Sequence, residues 1–273
     1  MRVATWNLWW RFGDWRRRER AIATVLERED PDVVCLQEVW ATRTVNQAES
    51  LAARRGLHVA WAPSPRPDMW QRRLGDTSVT IGNAVLSRWP LLEQGQVHLT
   101  AGGAPDEGRT LLHVRVAAPD GPLPVLTTQL TSAAHHSAVR VAQVRQIADV
   151  VAERRLPGRP AVLAGDFNAV PDSDEIRLLE GFRTAPPVPG LVLVDAWRYA
   201  DPTDPGTTWD HRRNPYVHAS LEPSGRIDYV FVTLPGPDGA GSVADVRVVG
   251  DGPEHGTWPS DHAAVVADLR PGP

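Results

Sequence analysis

Seven polar side chains stand where apolar segments end. They are Asn7 after RVATW, Glu38 after DVVCLQ, Asp166 and Asn168 around PAVLAGDFN, Asp228 within RIDYV, and Asp261 with His262 ahead of AAVVADL. A carboxylate or amide at the end of an apolar strand is costly to bury unless it is paired or bound to a metal. Each residue taken alone reads as a turn former or strand cap. Together they repeat one arrangement, in which a core strand delivers an oxygen ligand to a shared mouth. Four carboxylates there would repel one another without a cation. Hard oxygen ligands with little Cys or His among them suit Mg²⁺ or Mn²⁺ rather than Zn²⁺.

The elements that must position these groups alternate between strand-like and helical patterns. RVATWN (2–7) reads as a strand, and Asp14 as the cap of a helix over 15–28 with Ala21, Ile22, Val25 and Leu26 on one stripe. DVVCLQE (32–38) is a continuous apolar run, as expected of a buried central strand. A second helix is expected over 43–54. From 57 to 130 the signals are strand-like, in LHVAWA, SVTIGNAVLS, RTLLHVRVAA and LPVLTTQL. A long helix over 137–155 precedes the strand PAVLAGDFN (160–168), a helix over about 173–180 and a loop-rich stretch at 183–224. RIDYVFVTL, SVADVRVVG and DHAAVVADL close the chain as strands. This order points to an α/β fold of two face-to-face sheets with helices outside, in one domain over 1–273.

Composition narrows the function classes. The chain has 273 residues and a formal charge of −4, with eleven Trp as core material. It has no apolar run long enough to span a membrane. The start MRVATWNLWW is too short and too soon polar for a signal peptide, so a cytoplasmic monomer is expected. One cysteine, Cys35, excludes an internal disulfide framework and reads as an inert core residue. All 29 basic residues are Arg; GC-rich coding explains this, although Arg forks also suit phosphate recognition. The mildly acidic balance argues against tight nonspecific binding to bulk nucleic acid, yet a metal ion would supply local positive charge.

ATWN, CLQEV, GNAVLSRWP, GDFNAVPDS, GRIDYVFV and SDHAAVVADL resemble, in this order and over almost the whole chain, the endonuclease/exonuclease/phosphatase superfamily. The resemblance implies a four-layer α/β/β/α sandwich and a metal-dependent phosphoesterase. It implies Glu38 as the principal metal ligand, with Asn7 and Asp261 close to the metal, directly or through water. Asp166 and Asn168 would hold and activate the attacking water. His262 would contact the scissile phosphate while Asp228 accepts a hydrogen bond from its ring. Asn83 resembles a family position facing the cleft, and alternatively satisfies a turn. Where some family branches carry a His after TT, this chain has Gln129, which can hydrogen-bond a phosphate oxygen but cannot shuttle a proton. His135 or His136 would have to fold back to compensate; otherwise they are exposed residues leading a helix.

Phosphoester hydrolysis needs an in-line water, neutralised phosphate charge and a stabilised leaving oxygen. An Asp228 partner and a phosphate would both favour a charged imidazole, so Asp166 is the expected base and His262 the expected donor. The reverse assignment stays open at this level. Asp261 and His262 are adjacent, and adjacent strand residues point to opposite faces, so a bend at Pro259 and Ser260 is required if both serve the site.

Substrate contacts are less sharply marked. In WWRFGDWRRRER, Trp9 and Arg11 read either as part of a stacking and phosphate-gripping rim or as a helix start with aromatics on the core and arginines in water. Trp209 and Asn214, in TTWDHRRNPY, are candidates for substrate contact, with plain loop packing of Trp209 as the alternative. The expected partner is a phosphoester substrate, with nucleic acid or a nucleotide-like molecule foremost. A small-molecule or lipid-headgroup phosphoesterase is the alternative, and a non-catalytic binding protein of the same fold is a third.

Overall fold

The computed structural model describes residues 1–102, 106–220, 222–236 and 239–272. Two six-stranded mixed sheets face each other, with helices on their outer faces. The first sheet contains β1 (Arg2–Asn7), β2 (Val33–Ala41), β3 (His58–Pro63), β4 (Thr80–Ser87), β11 (Val243–Val249) and β12 (Ala264–Leu269), in the order β11-β12-β1-β2-β4-β3. The second contains β5 (Leu91–His98), β6 (Thr110–Ala118), β7 (Gly121–Gln129), β8 (Val162–Asp166), β9 (Leu193–Asp195) and β10 (Asp228–Thr233), in the order β5-β6-β7-β8-β10-β9.

The apolar runs are continuous because both faces of the central strands are covered. Val3, Val33, Cys35, Val85, Val125, Val162, Val230 and Val265 fill the layer between the sheets. Ala4, Val34, Leu36 and Val266 pack outward against Ile22, Val25 and Leu26 of α1 (Trp15–Glu29) and Leu51 of α2 (Gln47–Ala53). On the other side, Leu126, Leu163 and Phe231 pack against Val144, Ile147 and Val151 of α4 (Ser137–Arg154) and Ile176 of α5 (Asp174–Glu180). Asp14 caps α1 as expected, its side chain accepting from the Arg17 N–H. Burial pushes the Cys35 thiol up to about 12, so it is an inert core group.

Strand direction gathers the chemistry at one edge of the sandwich. β1 and β2 run parallel, as do β7 and β8, so each pair presents its C-terminal end to the same edge. β12 is antiparallel to β1, and β10 to β8, so these strands begin where their neighbours end. The residues ahead of β12 and the first residue of β10 therefore meet Asn7 and Asp166.

Several elements differ from the sequence expectation. α2 starts at Gln47 rather than 43, because Thr42 and Val45 close a turn through backbone and hydroxyl hydrogen bonds, and the Asn46 side chain then caps the Ala48 N–H. Glu38 does not close its strand. β2 continues to Ala41, with a bulge between Leu36 and Val39. The edge strand β5 is not marked by the sequence pattern because it is rich in polar residues, and only alternate positions are covered. The pattern also does not mark α3 (Asp68–Leu74), the short β9 or the 3₁₀ turn Ala196–Tyr199. Position 221 of the expected 183–224 loop lies outside the described residues.

Gly165 lets β8 approach β7. A Cβ there would lie 2.0 Å from the Thr128 carbonyl oxygen, one register step from the pair Gln129 and Asp166. Gly165→Ala is expected to lower unfolding stability by about 3 kcal/mol or more, through forced strand separation. Denaturant titration checks this, and an unchanged midpoint would show that the sheet accommodates the methyl.

Candidate active site

The mouth is assembled from backbone irregularities at strand ends. Glu38 and Asn168 both have left-handed backbones, φ 50° and 48°. Such a conformation is uncommon for residues with a Cβ and tends to occur where the surroundings over-determine it. At the β2 bulge three steps on β2 oppose two on β4, which takes Glu38 out of the strand alternation opposite Asn83. Asp261 and His262 precede β12 and are not on a regular strand. That is the bend the sequence required, and both side chains reach one site.

Two amides hold two carboxylates together. Gln129 Nε2 donates to Glu38 Oε1 (2.7 Å) and Asp166 Oδ2 (3.2 Å). Asn7 Nδ2 donates to the same oxygens, at 3.3 and 3.0 Å. The Asn168 backbone N–H donates to Asp166 Oδ1 (3.0 Å), and its side-chain amide to Leu130 O (3.0 Å). Glu38 Oε2 is buried with no hydrogen-bond partner among the described residues.

The imidazole stands on the other side of Asp166. His262 Nδ1 lies 2.9 Å from Asp228 Oδ2, and Nε2 lies 3.9 Å from Asp166 Oδ2. Burial of the ring pulls its pKa down, but Asp228, Asp166 and Asp261 together outweigh this and raise it well above the usual range. The surrounding acids favour the charged ring, whose Nδ1–H donates to Asp228 Oδ2 while Nε2 stands beyond hydrogen-bond distance of Asp166. Burial likewise raises Asp166; the His262 charge opposes that rise and Asp228 adds to it. Burial and the nearby Glu38 push the Asp261 carboxyl up to about 7, against the pull of His262 and Arg18. The edge of the Trp209 ring meets the imidazole, with centroids 5.0 Å apart.

A cation fits this donor set. Glu38 has an unpartnered buried oxygen, and Asp261 is a carboxylate whose ionisation burial and Glu38 disfavour. Among the described residues, Asp166, Asp228 and His262 also form a group whose ligand atoms lie within 4.8 Å of one another. Within that group Nδ1 of the ring is already paired with Asp228 Oδ2.

Other side chains line or brace the mouth. Asn83 is buried on β4, donates to Thr110 O (2.9 Å) and shares a small cavity with Gln129 and Arg109. Asn214 is also buried; its amide donates to Ser260 O (2.9 Å) and its carbonyl accepts from the Tyr216 N–H, so it braces the segment carrying Asp261. The Trp9 backbone N–H donates to Asn7 Oδ1 (2.9 Å), and its ring lies against Tyr216, centroids 4.5 Å apart. The Arg11 guanidinium lies 4.0 and 4.5 Å from the Trp40 and Trp15 rings. His135 and His136 pair with each other rather than with the Glu38–Asp166 network, and His136 lies 4.0 Å from Glu107.

Two residues escape the sequence reading. The pattern places Arg18 on the surface, in a phosphate-gripping rim or facing water, yet it is buried and donates to the carbonyls of Leu8, Trp9, Trp10, Phe12 and Pro259. It ties the loop after Asn7 to the loop before Asp261. Its position on the buried stripe, four residues before Ile22, is the available signal. Ser260, which reads only as a bend, donates to Asn7 O (2.7 Å) and accepts from the His262 N–H.

The raised His262 pKa makes stability depend on pH. Its contribution is complete below the unfolded value of about 6.5 and is lost as pH rises through the higher folded value. In EDTA, calorimetry from pH 6 to 9 is expected to show a falling Tm for the native chain and a flatter profile for His262→Gln. The difference in that fall should be about 2 °C or more. Equal slopes would remove the charged-imidazole assignment.

The model of the Endonuclease/Exonuclease/phosphatase family matches residues 4–262. Protein angel of Drosophila melanogaster is 28% identical over 185 residues, 62% of this chain and 48% of that protein, so the match spans about half of the relative's length. An endonuclease/exonuclease/phosphatase from Beutenbergia cavernae aligns with all of this chain and 72% of its own, with a TM-score of 0.72 and 27% identity. D. rerio TDP2 complexed with single-strand DNA product aligns over 99% of this chain and 98% of its own, with a TM-score of 0.76 and 19% identity. The human Nocturnin catalytic domain with bound sulfate aligns over 99% and 94%, with a TM-score of 0.72 and 20% identity. The chain belongs to the endonuclease/exonuclease/phosphatase family, whose members are generally phosphoesterases.

Proposed function

We propose that this chain is a divalent-metal-dependent phosphodiesterase acting on a nucleic acid or nucleotide-like substrate. The observation that carries this reading is the juxtaposition of Asp166, bound by the side-chain amides of Asn7, Gln129 and Asn168, with a buried His262–Asp228 pair 3.9 Å away. A water held by Asp166 and Asn168 is placed to attack phosphorus in line. Burial makes Asp166 a stronger base than a free carboxylate, so it takes the water's proton as the new P–O bond forms. His262, cationic and held by Asp228, donates from Nε2 to a phosphoryl oxygen as charge develops there. The bond to the leaving oxygen then breaks.

Glu38, with Asn7 and Asp261 beside it, would hold Mg²⁺ or Mn²⁺. The ion would supply Lewis-acid neutralisation of the phosphate and the leaving oxygen. Gln129 and Asn7 keep Glu38 and Asp166 aligned without exchanging protons. Asn83 would face substrate across the small cavity beside Gln129. Trp209 and Trp9 would border the bound group. Asn214 supports Asp261 through Ser260. The likeness to a fold seen with a single-strand DNA product supports the nucleic-acid choice, and the retained acids and imidazole oppose a binding protein without catalysis.

Release of p-nitrophenol from bis-p-nitrophenyl phosphate is expected with Mg²⁺ or Mn²⁺ and to stop in EDTA. Asp166→Ala is expected to lose about 10²–10⁴-fold in kcat, the usual contribution of a positioned base, and Glu38→Ala to lose metal-supported turnover. Full activity of Asp166→Ala at saturating metal would remove its role. Parallel assays on single-stranded DNA, RNA, inositol phosphates and phospholipid headgroups would identify the substrate class.

A further inference from the structure

We infer that the outer face of α1 carries a second anion site, a groove that takes the sugar–phosphate backbone of a single-stranded nucleic acid leaving the mouth. The inference builds on the phosphodiesterase reading and extends it to a surface outside the Glu38–His262 cluster. The groove runs between α1 and α2 and is closed by the segment Glu254–Thr257, with a volume of about 1130 Å³.

Its α1 wall is one stripe. Arg16, Arg20 and Thr24 all line the groove and recur every fourth residue, which stacks them on one helix face. Neighbouring arginines are paired: Arg17 with Asp14 at 3.3 Å, Arg54 with Glu27 at 2.6 Å and Arg28 with Glu254 at 2.5 Å. Among the described residues, Arg16 and Arg20 form no ion pair or side-chain hydrogen bond, and both are exposed. Like charges four apart oppose helix formation, so this stripe is not arranged for helix stability. A polyanion relieves the repulsion. Of the acids on the groove, Glu254 is held by Arg28, and Glu19 attracts Arg11, Arg18 and Arg16 and so offsets only part of the repulsion.

A run of rings and guanidinium groups, with Trp40 buried and Arg11 and Trp15 half-buried, extends from the groove to the strand that carries Glu38. Trp40 stands two residues beyond Glu38 on β2, and the Arg11 guanidinium lies 4.0 Å from its ring. Arg11 lies 4.5 Å from the Trp15 ring, and Arg16 4.3 Å from the same ring. Trp15 and Arg16 both line the groove. The buried Arg11 Nε–H has no hydrogen-bond partner among the described residues. The loop carrying Arg11 is tied to the site, since the Trp10 N–H donates to Glu38 O (3.0 Å). Guanidinium forks match phosphate oxygens. A single strand is the occupant in line with the single-strand DNA product bound to the similar fold of D. rerio TDP2.

The test is fluorescence anisotropy of a dye-labelled fifteen-nucleotide oligodeoxythymidine, in EDTA so that no turnover occurs, from low to moderate salt. The Arg16→Ser/Arg20→Ser double variant is expected to bind about tenfold more weakly at low salt, and its salt slope to shrink by about 0.7 for each phosphate it no longer neutralises. Arg145→Ser removes an exposed arginine from α4, behind the other sheet, and is expected to keep the native slope. A double variant with the native slope and affinity would overturn the inference. So would a double variant that loses binding to phosphatidylserine vesicles while keeping the oligonucleotide. Turnover of bis-p-nitrophenyl phosphate by the native chain is read separately. A changed slope without turnover would sink the phosphodiesterase reading and leave this site standing.

Discussion

Burial of four carboxylates at one end of a β-sandwich is the constraint on which this structure turns. Glu38, Asp166, Asp228 and Asp261 are all nearly inaccessible. Removing ionised carboxylates from water is expensive unless each gains partners. The chain meets this with two amides between Glu38 and Asp166, an imidazolium between Asp228 and Asp166, and the charge of Arg18 acting on Asp261. One oxygen of Glu38 is still without a partner among the described residues. That residual demand is what a cation would meet.

Topology makes this concentration possible. Each sheet holds a central parallel pair flanked by antiparallel strands, β12-β1-β2-β4 in one and β10-β8-β7-β6 in the other. The C-terminal ends of the parallel pairs and the N-terminal ends of β10 and β12 therefore share one edge. Backbone irregularities finish the aim: a bulge for Glu38, left-handed φ at Asn168 and a bend ahead of β12. Arg18 and Ser260 lock the bend to the loop after Asn7, so residues remote in sequence move as one unit. Gln129 illustrates the same economy of form. Here a neutral amide, with no titration of its own, donates to two acids at once.

Much of this is legible in the residues alone. The central strands are apolar on both faces, so their runs mark themselves, and the polar residues at or near their ends stand out against that background. Asn7, Asp166 and Asp228 sit at strand ends, as the sequence indicates. The capping acid of α1 and the inert Cys35 are likewise evident from local chemistry. Elements held by edge pairing or short-range turns are not legible, because β5, α3 and β9 carry little periodic apolar signal and take their shape from neighbours.

By itself the sequence determined which chemistry was available, through hard oxygen ligands and one imidazole in a fixed order, and which strands had to be buried. Only the tertiary structure decided where the charges stand relative to one another. Glu38 reaches the mouth through a bulge whose existence depends on its partner strand. Arg18 reads as a surface arginine until five carbonyls from two distant loops surround it. Asn214, a candidate substrate contact in the sequence, is seen to donate its amide to Ser260 O. The physical reason is common to all three: hydrogen-bond partners and burial are properties of residues far apart in the chain, and no local pattern encodes them.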